Sequence, residues 1–493
     1  MRGAPERRGA QALPAAAPVP YPRCMCATAT LLLALAWPAA WFMAQEGERE
    51  QAAASELARA QERAADGHYA DARRDYERIA ERYAGTQAAV VARRRARPSA
   101  FVGWTDLVRH GPSSNRVDVV VMGEGYQLGE QDQLDDLAAN VPDWFARQAT
   151  LREYYPYFNF LRANLVSADN GVDGFGREYD TALGGHTLST IAGHVGIDPA
   201  QVHAMLDELP AHDRLAIVFV KTGVLGTANA GIATVGSQSL PMLIHEWGHA
   251  FGLLGDEYAT HTHERGLPSE HANVAVSADP QEAPWAHWIH ARVPGVGMYE
   301  GAAGQVRDAW RPTASGCVME QGEFFCRVCQ EALVLAIYQR VDPIEDCAPP
   351  APDSGAGLIL GEKPLEFALR VMRPAGHDLE VSWWVLPKGH SPATGGAPAP
   401  GQRALRDQEG DRRIRGALAP IAAEPTGRTS PDGQGRHRLR LHPGDLEPGL
   451  YRVTVRARDT AQWRGERWPW VLKDEHGLLE SERAWWLMVL ARR

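Results

Sequence analysis

Apolar and polar positions follow different periods in different parts of the chain. Over residues 45–97 glycine is scarce, proline is absent, and Ala, Glu and Arg are dense, a pattern that predicts helix. Within "ADGHYADARRDYERIAERYAGT", Tyr69, Ala72, Tyr76, Ile79 and Tyr83 recur at helical spacing. From Pro98 the period changes. "RVDVVVM" (116–122) predicts a buried strand closed by "GEG", and "QDQLDDLAANVPDWFARQ" an amphipathic helix interrupted near Pro142. "FNFLRANLVSAD" and "RLAIVFVK" predict further strands, with a helix around 199–209 between them. The Gly-rich "TGVLGTANAGIATVGSQS" predicts a loop followed by an exposed edge strand. Strands alternating with helices indicate an α/β lobe.

After Cys347, "APPAPDSGAG" has linker composition, placing a boundary at 348–356. Residues 357–493 carry the short runs "LEFALRVM", "LEVSWWVL", "RHRLRLH", "GLYRVTVRAR" and "AWWLMVL", with a Pro/Gly/Ala-rich insertion near 389–401. This spacing predicts a β-sandwich-like accessory domain whose tryptophans serve as core. The 45–97 segment resembles one tetratricopeptide-type hairpin without a second copy, so it is read as a helical spacer or prosegment. At the N-terminus, "LLLALAWPAAWFMA" follows an Arg-, Pro- and Ala-rich stretch, which resembles an export signal over residues 1–44. Pro38 interrupts an apolar run of marginal length, and an uncleaved membrane anchor through residues 28–44 is the alternative. The net charge of −10 argues against nucleic acid as a partner.

The chemistry gathers in "HEWGHAFGLLGDEY" (245–258). At 100° per residue, Leu240, Leu243, Ile244, Trp247 and Phe251 fall on one apolar arc, with His245 and His249 nearly opposite and Glu246 beside them. H-E-x-x-H requires such a helix, because residues four apart bring both imidazoles onto one face. One Zn2+ ion is the expected cofactor, with His245 and His249 as ligands and Glu246 as general base. Cys317, Cys326, Cys329 and Cys347 remain. "CRVC" lacks the second C-x-x-C of a zinc ribbon, and in an exported protein disulfides are the expectation.

Three segments, "NRVDVVVMGEGYQ" (115–127), "HEWGHAFGLLGDEY" and "CVMEQGEFFCRVCQEAL" (317–333), resemble the immunoglobulin A peptidase-type zinc metallopeptidases, relatives of the metzincins. The resemblance covers about 98–342. It implies a metzincin-like zincin catalytic domain of α/β (α+β) class over 98–347, acting on a protein or peptide substrate. It implies Met319 in the turn beneath the metal, and Gly231, Ile232, Ala233 and Thr234 in an edge strand that adds substrate as a further strand. Metzincins offer a third ligand ten residues beyond the first histidine, where this chain has Gly255. Asp256 is therefore the expected ligand, reached by a wider turn at Gly252 and Gly255, with Glu257 as the alternative and His261, His263, Glu264 and Glu270 as further rivals. Tyr258 and Tyr299 are secondary candidates for oxyanion support. The expected activity is exported zinc-dependent endopeptidase. An inactive zincin-fold binding or adhesion protein, and a zinc amidase acting on cell-wall peptides, are the competing readings.

Overall fold

The computed structural model describes residues 27–174, 176–188, 193–209, 213–222, 225–260, 271–351, 357–388, 418–463 and 465–491, and only the backbone over 27–44. It opens with helices α1 (Ala27–Ala65), α2 (Tyr69–Arg82) and α3 (Gln87–Arg95). Tyr69, Ala72, Tyr76, Ile79 and Tyr83 are all buried. They share one apolar cluster with Ala100, Val102 and Val166, so the helices pack onto the sheet that follows. Among the described residues no helix is long and apolar enough to cross a membrane.

That sheet contains β1 (Ala100–Val108), β2 (Val117–Glu124), β3 (Phe158–Val166), β6 (Leu215–Val220), β7 (Thr227–Asn229) and β8 (Ile232–Gly236), in the order β1-β3-β2-β6-β8-β7. The small ribbon β4 (His186–Thr187) and β5 (Val195–Gly196) lies between β3 and β6 in sequence. Strands β2, β3, β6 and β8 run parallel, whereas β1 and β7 close the two ends antiparallel. Strands β2, β3, β6 and β8 are buried along their whole lengths, as expected of a parallel sheet covered on both faces. One face packs against α4 (Gln131–Arg147), α7 (Leu243–Gly252) and α9 (Arg327–Tyr338); the other packs against α6 (Pro199–Leu206). The short helices α5 (Ala149–Glu153) and α8 (Ala286–His290) complete the helical set described.

Two expectations change here. The helix over 131–147 is continuous, with Pro142 buried inside it. The segment Gly231–Thr234 is not an edge. Ala230 and Gly231 both adopt positive φ (51° and 80°), which turns Thr227–Asn229 back to pair with Ile232, Ala233 and Thr234. The outermost strand is therefore β7, and the strand predicted to be exposed lies one position inside.

β9 (Tyr299–Ala302) and β10 (Gln305–Arg311) form a hairpin. Beyond it, β11 (Ile344–Ala348), β13 (Leu365–Val371) and β16 (Arg436–Leu441) form a three-stranded sheet. β12 (Leu358–Leu360), β14 (Glu380–Pro387), β15 (Gly427–Thr429), β17 (Gly449–Arg458) and β18 (Glu480–Val489) form a five-stranded one. Both sheets feed a single apolar cluster in which Trp383 and Trp485 are buried. Cys347 sits in β11 and thus belongs with these sheets. The segment from Asp459 to Leu479 reaches back to the first part of the chain. Trp470, Leu478 and Leu479 join its core, and Asp459 accepts hydrogen bonds from Tyr154 and Tyr338.

Candidate active site

A 3-10 turn at Leu240–Met242 leads into α7, and the apolar arc of that helix is buried as its period requires. Trp247 stacks on Phe251 at 4.9 Å and meets Phe145 at 5.0 Å, which fixes the rotation of the helix about its axis. His245 and His249 then face the opposite way with their rings 4.7 Å apart. Each histidine commits one nitrogen to a backbone carbonyl: His245 Nδ1 lies 3.0 Å from Val318 O, and His249 Nδ1 lies 2.6 Å from Leu254 O. Those bonds orient the rings and leave both Nε2 atoms, 3.0 Å apart, facing each other.

The helix ends at Leu253, whose φ of 51° and ψ of 34° are left-handed. The reversal is therefore made by a leucine and not by the glycines on either side of it. Gly252 and Gly255 are needed for space: a Cβ at Gly255 would lie 2.7 Å from Val274 Cγ2 and 2.9 Å from the His271 ring. The buried Asn273 clasps this loop. It accepts from Gly255 N at 2.8 Å, and its amide donates to Gly255 O at 2.8 Å and to Glu257 Oε1 at 3.0 Å. Nothing in the sequence pattern singled out Asn273. The β9–β10 hairpin supports the far side of the loop, Ala303 N donating to Asp256 O at 2.8 Å.

Asp256 is thereby brought to the histidines. Its Oδ1 lies 3.2 Å from His245 Nε2 and 3.2 Å from His249 Nε2, buried and outside hydrogen-bonding geometry with either. His245, His249 and Asp256 together form a group able to hold a metal ion. Burial opposes ionisation of Asp256, but the two imidazoles outweigh it and hold the carboxyl well below the usual carboxylate range. Glu246 is buried beside the group without belonging to it. Burial raises its pKa, and the two histidines only partly offset this.

Met319 occupies the 3-10 turn Val318–Glu320 and is fully buried directly under the helix. A Cβ on Gly248 would come within 2.6 Å of its sulfur, which explains a glycine in mid-helix at this point. Glu257, the alternative ligand, points elsewhere: its carboxylate meets Asn273, Thr313 and Cys329. Its predicted place at the histidines is corrected accordingly, because successive side chains on this extended loop leave in different directions. Tyr258 lies beside His245 with ring centroids 6.2 Å apart, whereas Tyr299 packs near Gly297 in the hairpin. His261, His263, Glu264 and Glu270 lie outside the described residues. The four cysteines are free thiols, Cys347 apart from the others, so the expected disulfides are not found.

Residues 105–296 match the family model described as IgA Peptidase M64. Over that region the chain is similar to the IgA peptidase M64 family. The match takes in the parallel sheet, α7 and the Asp256 loop, and it ends before Met319 and the cysteines. No curated protein matches the chain. The match supports a peptidase of the metallopeptidase kind, with protein or peptide as substrate, and the fold mixes helices and sheets.

Proposed function

We propose that the protein is an exported zinc-dependent endopeptidase in which His245, His249 and Asp256 hold the metal and Glu246 is the general base. The observation that carries this reading is the convergence of three donor atoms, Nε2, Nε2 and Oδ1, within 3.0–3.2 Å of one another. Both imidazoles already have Nδ1 engaged, and the Asp256 oxygen is buried without a hydrogen-bond donor, so the set fits a cation. Two histidines and one carboxylate are a donor set that suits Zn2+ and leaves a coordination position open. A Zn2+ ion held there supplies Lewis-acid chemistry, acidifying a water and polarising a scissile carbonyl.

The chain's own residues do the rest. Glu246 accepts the proton of the attacking water and returns it to the departing amine, a role helped by a carboxyl whose burial makes it more basic. Asp256, held ionised, supplies negative charge to the metal. Met319 provides an apolar floor beneath α7. Strand β7 takes over the role first given to Gly231–Thr234: as the terminal strand it offers backbone groups to an extended peptide. The architecture is metzincin-like, the two C-terminal sheets act as a β-sandwich-like accessory domain, and residues 1–44 direct export or anchor the chain.

The test is hydrolysis of a denatured protein by the purified full chain. Activity abolished by a chelator and restored by zinc supports the proposal. No hydrolysis by zinc-loaded protein moves the chain to a binding role, and cleavage confined to cell-wall peptides moves it to an amidase.

A further inference from the structure

The sequence offered one C-x-x-C and no second pair, and the structure supplies the missing half from elsewhere. Cys326 caps the N-terminus of α9 and Cys329 lies in its first turn. Cys317 approaches from the Met319 turn, and Glu257 from the loop that follows α7. One donor atom from each of the four residues lies within 4.8 Å of all the others.

We propose that Glu257, Cys317, Cys326 and Cys329 bind a second, structural Zn2+ ion, separate from the one at the histidines. The spacing is that of a metal site and not of a disulfide. Cys317 Sγ and Cys329 Sγ are 3.8 Å apart. A disulfide requires about 2.05 Å, whereas two thiolates on a tetrahedral zinc, each at about 2.3 Å, stand about 3.8 Å apart. By the same geometry a sulfur and a carboxylate oxygen on one zinc stand about 3.5 Å apart. Glu257 Oε1 lies 3.6 Å from Cys326 Sγ and 3.0 Å from Cys329 Sγ.

The surroundings are those of ligated thiolates. Cys326 N donates to Cys317 Sγ at 3.4 Å, while burial opposes ionisation of Cys326 and Cys329, so their thiolates need a cation beside them. Glu257 is fully buried, and its described partners are Asn273, Thr313 and the sulfurs, with no cation among them. Burial pushes the Glu257 carboxyl up to about 8, so it is ionised there only with a counter-charge, which a divalent ion among the sulfurs provides. Three thiolates select zinc over magnesium or calcium.

The position gives the ion a purpose. Glu257 directly follows Asp256, and Cys317 stands two residues before Met319. Glu257 N already donates to Met319 O at 2.8 Å. The ion thus ties the loop bearing the third histidine-site ligand to the turn beneath α7 and to the start of α9.

The test uses the full chain loaded with cobalt(II), whose bonds to thiolate give an intense near-ultraviolet charge-transfer band. The band is expected in the wild type, retained in His245→Ala/His249→Ala, and lost in Cys326→Ser/Cys329→Ser. Zinc content should be two ions per chain in the wild type and one in the histidine variant. Absence of the band from cobalt-loaded histidine variant overturns the proposal, as does a disulfide among Cys317, Cys326 and Cys329 in non-reducing mass spectrometry. The histidine variant keeps every cysteine, so the result stands even where the cysteine variant fails to fold. A chain that shows the band yet hydrolyses nothing refutes the peptidase mechanism and leaves this site intact.

Discussion

Replacing Asn273 by alanine should weaken zinc binding at the histidines although Asn273 touches none of the three ligand atoms. The side chain satisfies Gly255 N–H, Gly255 C=O and the Glu257 carboxylate, all inside the protein. Leaving a buried polar group unsatisfied costs about 1–3 kcal/mol. Water entering the vacated space recovers one or two of the three interactions, so about 2–4 kcal/mol remains against the ordered loop. Asp256 reaches the histidines only while that loop is ordered. If about half of the cost must be met when zinc binds, affinity falls roughly 5–30-fold at about 1.4 kcal/mol per decade, overlapping the roughly 10–100-fold range typical of groups that orient metal ligands. Competition for zinc with a chromophoric chelator measures this, with hydrolysis followed in parallel. Affinity and activity within about threefold of wild type would refute the reasoning and show that the Asp256 loop holds its course without the asparagine clasp.

Asp256→Ala should lower zinc occupancy at the histidines, counted against the His245→Ala/His249→Ala variant, further than Glu257→Ala, which loosens the loop but removes no ligand there; the reverse order would return the ligand role to Glu257. His377 bridges Glu153 and Asp459, at 2.7 Å from each, where the segment after β17 meets the peptidase core. Burial alone would lower the His377 pKa, but Asp459 and Glu153 outweigh it and raise it, while burial of Asp459 is outweighed by His377 and its carboxyl is lowered. The histidine contribution is thus complete below the unfolded pKa of about 6.5 and fades as pH rises through the raised folded value; the Asp459 contribution fades only in acid. His377→Ala should cost about 3–5 kcal/mol near pH 6, and the difference from wild type in urea unfolding should shrink at alkaline pH; a pH-independent difference contradicts the charge assignment.

Much of the peptidase lobe was legible because its signals are local. The period of Leu243, Ile244, Trp247 and Phe251 fixed which way His245 and His249 would face, and the β-branched runs marked the buried strands. Asp256 could be reached by counting along one loop. What escaped was assembled across sequence distance. Glu257 and Cys329 are 72 positions apart, so no spacing rule joins them, and the cysteines alone suggested disulfides. Asn273 acts on Gly255 from 18 residues away with an ordinary polar side chain. The β7–β8 hairpin was missed because its turn uses Ala230 at positive φ ahead of Gly231, where a glycine-rich stretch reads as a loop. The turn after α7 was assigned to glycines, yet Leu253 makes it, held by the Leu254 N–H to Gly248 O bond at 3.2 Å.

Glu246→Gln tests the central claim most directly. Glu246 shares α7 with the metal ligands without belonging to the donor group, so the amide should leave His245, His249 and Asp256 in place. General-base contributions are typically about 10²–10⁴-fold. Zinc content and kcat for a peptide substrate should be measured on the same preparation. The account predicts wild-type zinc with kcat lowered by about that factor; near-normal turnover in fully zinc-loaded Glu246→Gln would contradict it.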